Sequence, residues 1–154
     1  MKKGLTIDDY PIIQEKLQDS SSLLIIGDNT GEAVLDKLLL KELSKYDIKI
    51  TYAVRDEPVL NDITLKEAKI IGLDKYSQVI SSGCSAPGML IEQANEEFLE
   101  LYNNADMILS KGQGNLEGLS EADRSIFFLL KAKCDLIADY LDVNLNDLVF
   151  KYIK

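Results

Sequence analysis

Leu23-Leu24-Ile25-Ile26-Gly27-Asp28-Asn29-Thr30-Gly31-Glu32 is the stretch on which the reading of this chain turns. Four consecutive apolar residues suit a strand covered on both faces, as in a parallel sheet. The strand stops at Asp28-Asn29, turns through Gly31 and enters a run where Val34, Leu35, Leu38, Leu39 and Leu43 recur at helical spacing. That spacing predicts a helix over 33–45. A strand that ends in oxygen-bearing side chains and turns into a helix puts those oxygens at a sheet's carboxyl edge, where open α/β sheets bind ligands. Asp and Asn are hard donors, suited to Mg²⁺ or Mn²⁺ rather than Zn²⁺.

The same pattern repeats outward from this turn. Residues 48–54 read as a strand ending in the polar loop Arg55-Asp56-Glu57-Pro58-Val59-Leu60-Asn61-Asp62. Thr64 and Glu67 have the spacing of a capping box, for a helix that Gly72 ends. Residues 77–80 predict a strand followed by a small-residue loop through Gly88, and residues 89–102 a helix with Leu90, Ile91, Ala94, Phe98 and Leu101 on one face. A strand at 106–109 ends in Ser110-Lys111-Gly112-Gln113-Gly114-Asn115, which reads as a flexible Gly-rich turn. Strands at 126–130 and 148–152 and a helix at 134–141 complete the chain, while Pro11 behind Thr6, Asp8 and Asp9 predicts a short N-terminal helix to about residue 18. Crossovers of this length imply right-handed βαβ units. The expected architecture is one domain over 1–154, a three-layer Rossmann-like α/β/α sandwich with a mostly parallel sheet.

Composition narrows the function. Of 154 residues, 46% are hydrophobic and 28% charged, the balance of a soluble globular chain. The net charge of −9 disfavours nucleic acid and anionic membranes, which need a basic field. The complete absence of histidine removes His-based triads, His-ligated zinc and histidine general bases. Cys84 and Cys134 lie far apart and form no CxxC; Cys84 reads as a filler in its loop and Cys134 as a buried helix residue. Met1-Lys2-Lys3-Gly4 opens no signal peptide and no apolar run reaches membrane-spanning length, so the expected location is cytoplasmic. A homo-oligomer is compatible with the sequence.

In a parallel sheet the polar loops share one edge. Asp28, Asn29 and Asp62 can then converge on one hard cation completed by waters, and Lys111 can bring positive charge to an anion. A metal, a lysine and backbone amides are what phosphoryl transfer uses, because its catalysis is mostly positioning and charge neutralisation. Singly, each motif has an ordinary reading: an Asp-Asn turn commonly just caps a helix, and Lys111-Gly112-Gln113-Gly114-Asn115 matches neither a Walker loop nor GxGxxG. Convergence carries the argument.

Five ordered segments add to it: 28–36 (DNTGEAVLD), 54–64 (VRDEPVLNDIT), 86–88 (APG), 105–117 (ADMILSKGQGNLE) and 127–134 (FFLLKAKC). Together they resemble the family catalogued as domain of unknown function 89, whose members include damage-control, metal-dependent phosphatases, and most of all its archaeal and bacterial branch. The resemblance runs from about Leu5 to Phe150. It implies a Rossmann-like sandwich and a divalent metal ion (Mn²⁺, Mg²⁺, Co²⁺ or Ni²⁺) at Asp28, Asn29 and Asp62. It also implies a phosphate-side lysine at Lys111, with Glu32, Arg55, Asn61, Asn115 and Glu117 near the same cleft. Family members usually carry a helical region before this core, so the resemblance is to the C-terminal α/β part alone. Asp56 stands where small or uncharged residues are common. The expected function is metal-dependent hydrolysis of a small phosphorylated metabolite, with Asp28, Asp62 and Lys111 catalytic. The alternative is a non-catalytic metal- or phosphometabolite-binding module.

Overall fold

Strand and helix alternate along the chain in a computed structural model that describes residues 4–154; residues 1–3, which enter the reading on signal sequences, lie outside it. The elements are β1 (Ile7–Asp8), α1 (Tyr10–Asp19), β2 (Ser22–Ile26), α2 (Thr30–Leu43), β3 (Lys49–Val54), α3 (Leu65–Ile71), β4 (Gln78–Ser81), α4 (Glu96–Asn104), β5 (Met107–Lys111), α5 (Gln113–Leu119), β6 (Ile126–Lys131), α6 (Asp135–Leu141) and β7 (Leu148–Ile153). Single 3₁₀ turns occupy Leu73–Lys75 and Ile91–Gln93. The strands form one sheet in the order β1-β7-β6-β5-β2-β3-β4. All pairs are parallel except β6 with β7.

Period-two alternation assigns the two faces. Leu23, Ile25, Tyr52, Val54, Met107, Leu109 and Phe127 pack with α1, α2 and α3 through Leu17, Ala33, Leu40 and Ala68. Leu24, Ile26, Ala53, Ile108, Phe128 and Leu130 pack with α4, α5 and α6 through Phe98, Leu116 and Ile137. The layers are therefore helix, sheet, helix, as expected. From β2 the chain runs to β3 and β4, then returns to place β5 on the other side of β2. The strand order reverses between β2 and β5, and the carboxyl ends of those two strands flank the crevice where such sheets bind ligands.

Four expectations need correction. Ile7–Asp8 is a short edge strand, parallel to β7, that two residues of pattern could not announce. The helix expected over 89–102 is a 3₁₀ turn followed by a shorter α4, because Asn95 caps α4 by accepting from the Phe98 N–H at 2.8 Å. The Gly-rich segment after β5 is helical from Gln113 onward. The Thr64 hydroxyl bonds the Glu67 carboxylate directly and caps no backbone N–H of α3.

The helicity of α5 depends on close backbone approach. A Cβ on Gly114 would lie 2.5 Å from the Pro87 carbonyl oxygen, and one on Gly118 would overlap the Met89 carbonyl oxygen. The Ala86-Pro87-Gly88 loop thus lies directly on α5. Gly118→Ala adds helix propensity worth about 1 kcal/mol, yet overpacking of backbone costs about 1–3 kcal/mol. The steric cost should win, so urea denaturation should find Gly118→Ala less stable than the parent chain; a more stable variant would contradict this packing.

Candidate active site

The loop after β3 folds back across the loop after β2. The Ile63 N–H donates to the Asp28 carbonyl at 2.8 Å, and the Thr30 N–H to the Asn61 carbonyl at 2.8 Å. Asn29 and Asp62 pair as an isolated antiparallel bridge, and Arg55 pairs with Thr64 in a parallel one. Two turns that are 34 residues apart in sequence are in this way stitched by backbone bonds, which brings Asp62 beside Asp28 and Asn29 (62 minus 28). The Asn29 side-chain oxygen accepts from the Gly31 N–H at 2.7 Å and the Glu32 N–H at 3.4 Å, capping α2.

Arg55 ties this pair of loops to a third. Its side chain is 1% exposed; Nε donates to Asp62 Oδ2 at 2.8 Å and an Nη to Asn115 Oδ1 at 2.7 Å. The Asn115 amide then donates to the Gly27 carbonyl at 3.0 Å and the Lys111 carbonyl at 2.8 Å. Asn115, itself fully buried, therefore clamps the ends of β2 and β5 to each other. It can do so because α5, the helix that sequence reading missed, places it one turn after Lys111.

Asp28 leans on the end of β5. Gly112 has φ +82°, and any Cβ there would overlap the Asp28 carboxylate. Only glycine combines that backbone with that contact. Burial first, then the nearby Asp62 and Glu32 carboxylates, push the Asp28 carboxyl up from 3.8 to about 6; Arg55 and Lys133 pull the other way. Lys133 is exposed and lines, with Glu32, Lys111, Gly112, Gln113 and Lys131, a depression of about 300 Å³ beside the acids. No spacing rule pointed to Lys133, since it lies beyond β6, on a loop that pattern alone does not aim at the edge.

Lys111, the last residue of β5, is buried at the same strand end. Its ammonium meets Asp36 Oδ1 at 2.5 Å and lies 3.7 Å from Glu32 Oε2. Asp36 Oδ2 accepts the Tyr52 hydroxyl at 2.7 Å. Tyr52 passes under Gly27, where a Cβ would come within 2.6 Å of the ring.

The remaining candidates sit at the rim. Asn61 enters through its carbonyl, and Glu32 is about half exposed. Glu117 accepts from the Gln113 amide at 2.8 Å, while Gln113 also receives the Lys133 N–H at 2.7 Å and donates to Cys134 Sγ at 3.3 Å. Cys134 is the half-buried N-cap of α6 and not a buried helix residue; Cys84 is buried in the core. Asp56 accepts from Ser81 at 2.5 Å and faces away into solvent.

No group of three or more Asp, Glu, His or Cys side chains is arranged to hold a metal ion among the described residues. The donors at this edge are the Asp28 and Asp62 carboxylates and the Asn29 amide, whose oxygen also accepts the Gly31 and Glu32 N–H groups, so water would complete the shell of an ion such as Mg²⁺. Two acids forced together, one with its proton affinity raised, fit a divalent cation between them.

Two outcomes follow. Replacing Arg55 by Met strands Asp62 half-buried without its partner, so Arg55→Met should lower unfolding stability by about 3 kcal/mol or more; a loss below about 1 kcal/mol in urea titrations would contradict the role of Arg55. In metal-free protein, a folded-state pKa raised from 3.8 to about 6 gives stability that is complete below 3.8 and lost as pH rises through 6. Asp28→Asn removes that loss, and should be more stable than the parent at about pH 7.5 by a margin that shrinks towards about pH 4.5. An equal margin at both would refute the electrostatic reading.

Comparison with known proteins agrees with this fold. Residues 1–149 match the damage-control phosphatase ARMT1-like domain. A damage-control phosphatase of Pyrococcus horikoshii is 39% identical over 97% of this chain and 53% of its own length, and one of Archaeoglobus fulgidus 33% identical over 100% and 54%. An uncharacterised protein of Methanocaldococcus jannaschii is 39% identical over 93% of this chain and 49% of its own. The crystal structure of a family member from Pyrococcus horikoshii superposes with a TM-score of 0.95 at 39% identity, over 99% of this chain and 54% of that one. The chain spans about half the length of the curated relatives it matches. With that match over nearly all its residues and that superposition on its sheet, the chain belongs to the damage-control phosphatase ARMT1-like family.

Proposed function

We propose that this chain is a cytoplasmic, metal-dependent phosphatase domain acting on a small phosphorylated metabolite. The observation that supports it most is the meeting of Asp28, Asn29 and Asp62 at the crevice between β2 and β5, held there by backbone bonds. Asp28, Asn29 and Asp62 would hold Mn²⁺, Mg²⁺, Co²⁺ or Ni²⁺. Such an ion supplies a Lewis acid for a phosphoryl oxygen and a site at which an attacking oxygen is oriented.

The chain's own groups would do the rest. Arg55 fixes one carboxylate oxygen of Asp62, and the other would face the ion. Lys133, exposed at the depression beside the acids, and Lys111 beneath them provide the positive charge that a phosphoryl group needs in an otherwise acidic chain. Asn61 and Glu32 shape the rim, and Asn115, buried beneath it, holds together the strand ends that form the floor. Hydrolysis breaks the ester P–O bond, forms a new one from water, and returns a proton to the leaving alcohol.

Phosphatase assays of the purified chain with each of those four ions test the proposal. Asp28→Ala and Asp62→Ala should each lower the rate by about two orders of magnitude. Unchanged rates would sink the proposal, and metal uptake without turnover would point to a binding module.

A further inference from the structure

The network beneath the site carries an inference that rests on the phosphatase reading. Lys111 and Asp36 are both about 95% buried and Tyr52 is completely so, yet the network satisfies both Asp36 oxygens, one with the ammonium at 2.5 Å and one with the phenol at 2.7 Å. A buried ion pair is a poor source of stability, because desolvation offsets most of the attraction and apolar residues of similar volume serve as well. Its value must be sought in position. The network joins β3, α2 and β5 directly under Gly27-Asp28, and Gly27 itself makes room for the Tyr52 ring. Lys111 has three N–H donors. Asp36 takes one, and Glu32 at 3.7 Å is too distant for a hydrogen bond. The ammonium is therefore held in one place with donors to spare, next to the depression that Glu32, Gly112 and Lys133 also line.

We propose that Asp36 and Tyr52 are positioning residues: they hold the Lys111 ammonium at the edge of the metal crevice, where its remaining donors receive the phosphoryl group of the substrate. Tyr52 acts at one remove. Its hydroxyl, kept protonated by burial, fixes the rotation of the Asp36 carboxylate, and that carboxylate fixes the lysine. None of Lys111, Asp36 and Tyr52 is among the proposed metal ligands, so the network should govern the anion and leave the cation alone.

The test separates those two affinities in the full chain. Mn²⁺ binding is followed by electron paramagnetic resonance, and inorganic phosphate binding in saturating Mg²⁺ by calorimetry. Asp36→Asn and Lys111→Met should each weaken phosphate binding about tenfold or more, the scale of a lost charge-assisted hydrogen bond. Tyr52→Phe, which deletes one hydroxyl from an intact ring, should weaken it by a smaller factor. Mn²⁺ affinity should stay within about twofold of the parent in all three. Adding Tyr52→Phe to Lys111→Met should cost nothing further, since the phenol acts only through the lysine. Phosphate affinity unchanged in both Asp36→Asn and Tyr52→Phe would overturn the proposal while leaving the metal site intact. Phosphate and Mn²⁺ affinities falling together would do the same, by revealing a merely structural role. A parent chain that binds neither ion would overturn the phosphatase reading and this one with it.

Discussion

Arg55 leaves the end of β3 fully buried and divides its guanidinium between Asp62 and Asn115. The Asp62 carboxylate and the joined ends of β2 and β5 depend on that division. One branch fixes the carboxylate that faces Asp28; the other fixes the amide that clamps the carbonyls of Gly27 and Lys111 together. A lysine could neutralise Asp62, but its donors all radiate from one nitrogen, whereas the planar fork presents Nε to Asp62 and an Nη to Asn115 in two fixed directions. The charge is safe to bury because it is paired and hydrogen-bonded, and costly to remove for the same reason.

Around that anchor the structure accepts local costs. Asp28 is pressed against Gly112 and beside Asp62, with its proton affinity raised, chiefly by burial. Glycines at 27 and 112 let a tyrosine ring and a carboxylate approach the backbone more closely than any Cβ permits. Such strain is expected at a crevice built for a ligand and is unexplained by stability alone. The reversal of strand order between β2 and β5 supplies the crevice, and the buried guanidinium and its amide partner tie those two strand ends together.

Much of this was legible in the sequence. The apolar runs gave the strands, their polar ends gave Asp28, Asn29, Asp62, Arg55, Lys111 and Asn115, and a shared sheet edge follows from parallel pairing. What stayed hidden has physical causes. Residues Ile7 and Asp8 are too few for a period to register. Gly114 and Gly118 argue against a helix by propensity, and close contact with the backbone of Pro87, Gly88 and Met89 overrides them. Asp36 reads as an ordinary polar position on α2 and Tyr52 as an ordinary core residue, because nothing local in sequence tells that β3 and α2 meet under Gly27. The closeness of Lys133 to Asp28 is likewise a property of the sheet, since β6 neighbours β5. Among the described residues no helix is long and apolar enough to cross a membrane.

The proposed function stands or falls with three oxygen donors from two turns meeting on one divalent cation. Crystals of the chain grown with Mn²⁺, with anomalous diffraction recorded at the manganese edge, test it most directly. A single strong peak is expected within about 2.0–2.6 Å of side-chain oxygens of Asp28, Asn29 and Asp62. A peak bound elsewhere, or density at this crevice touching only one of the three, would contradict it.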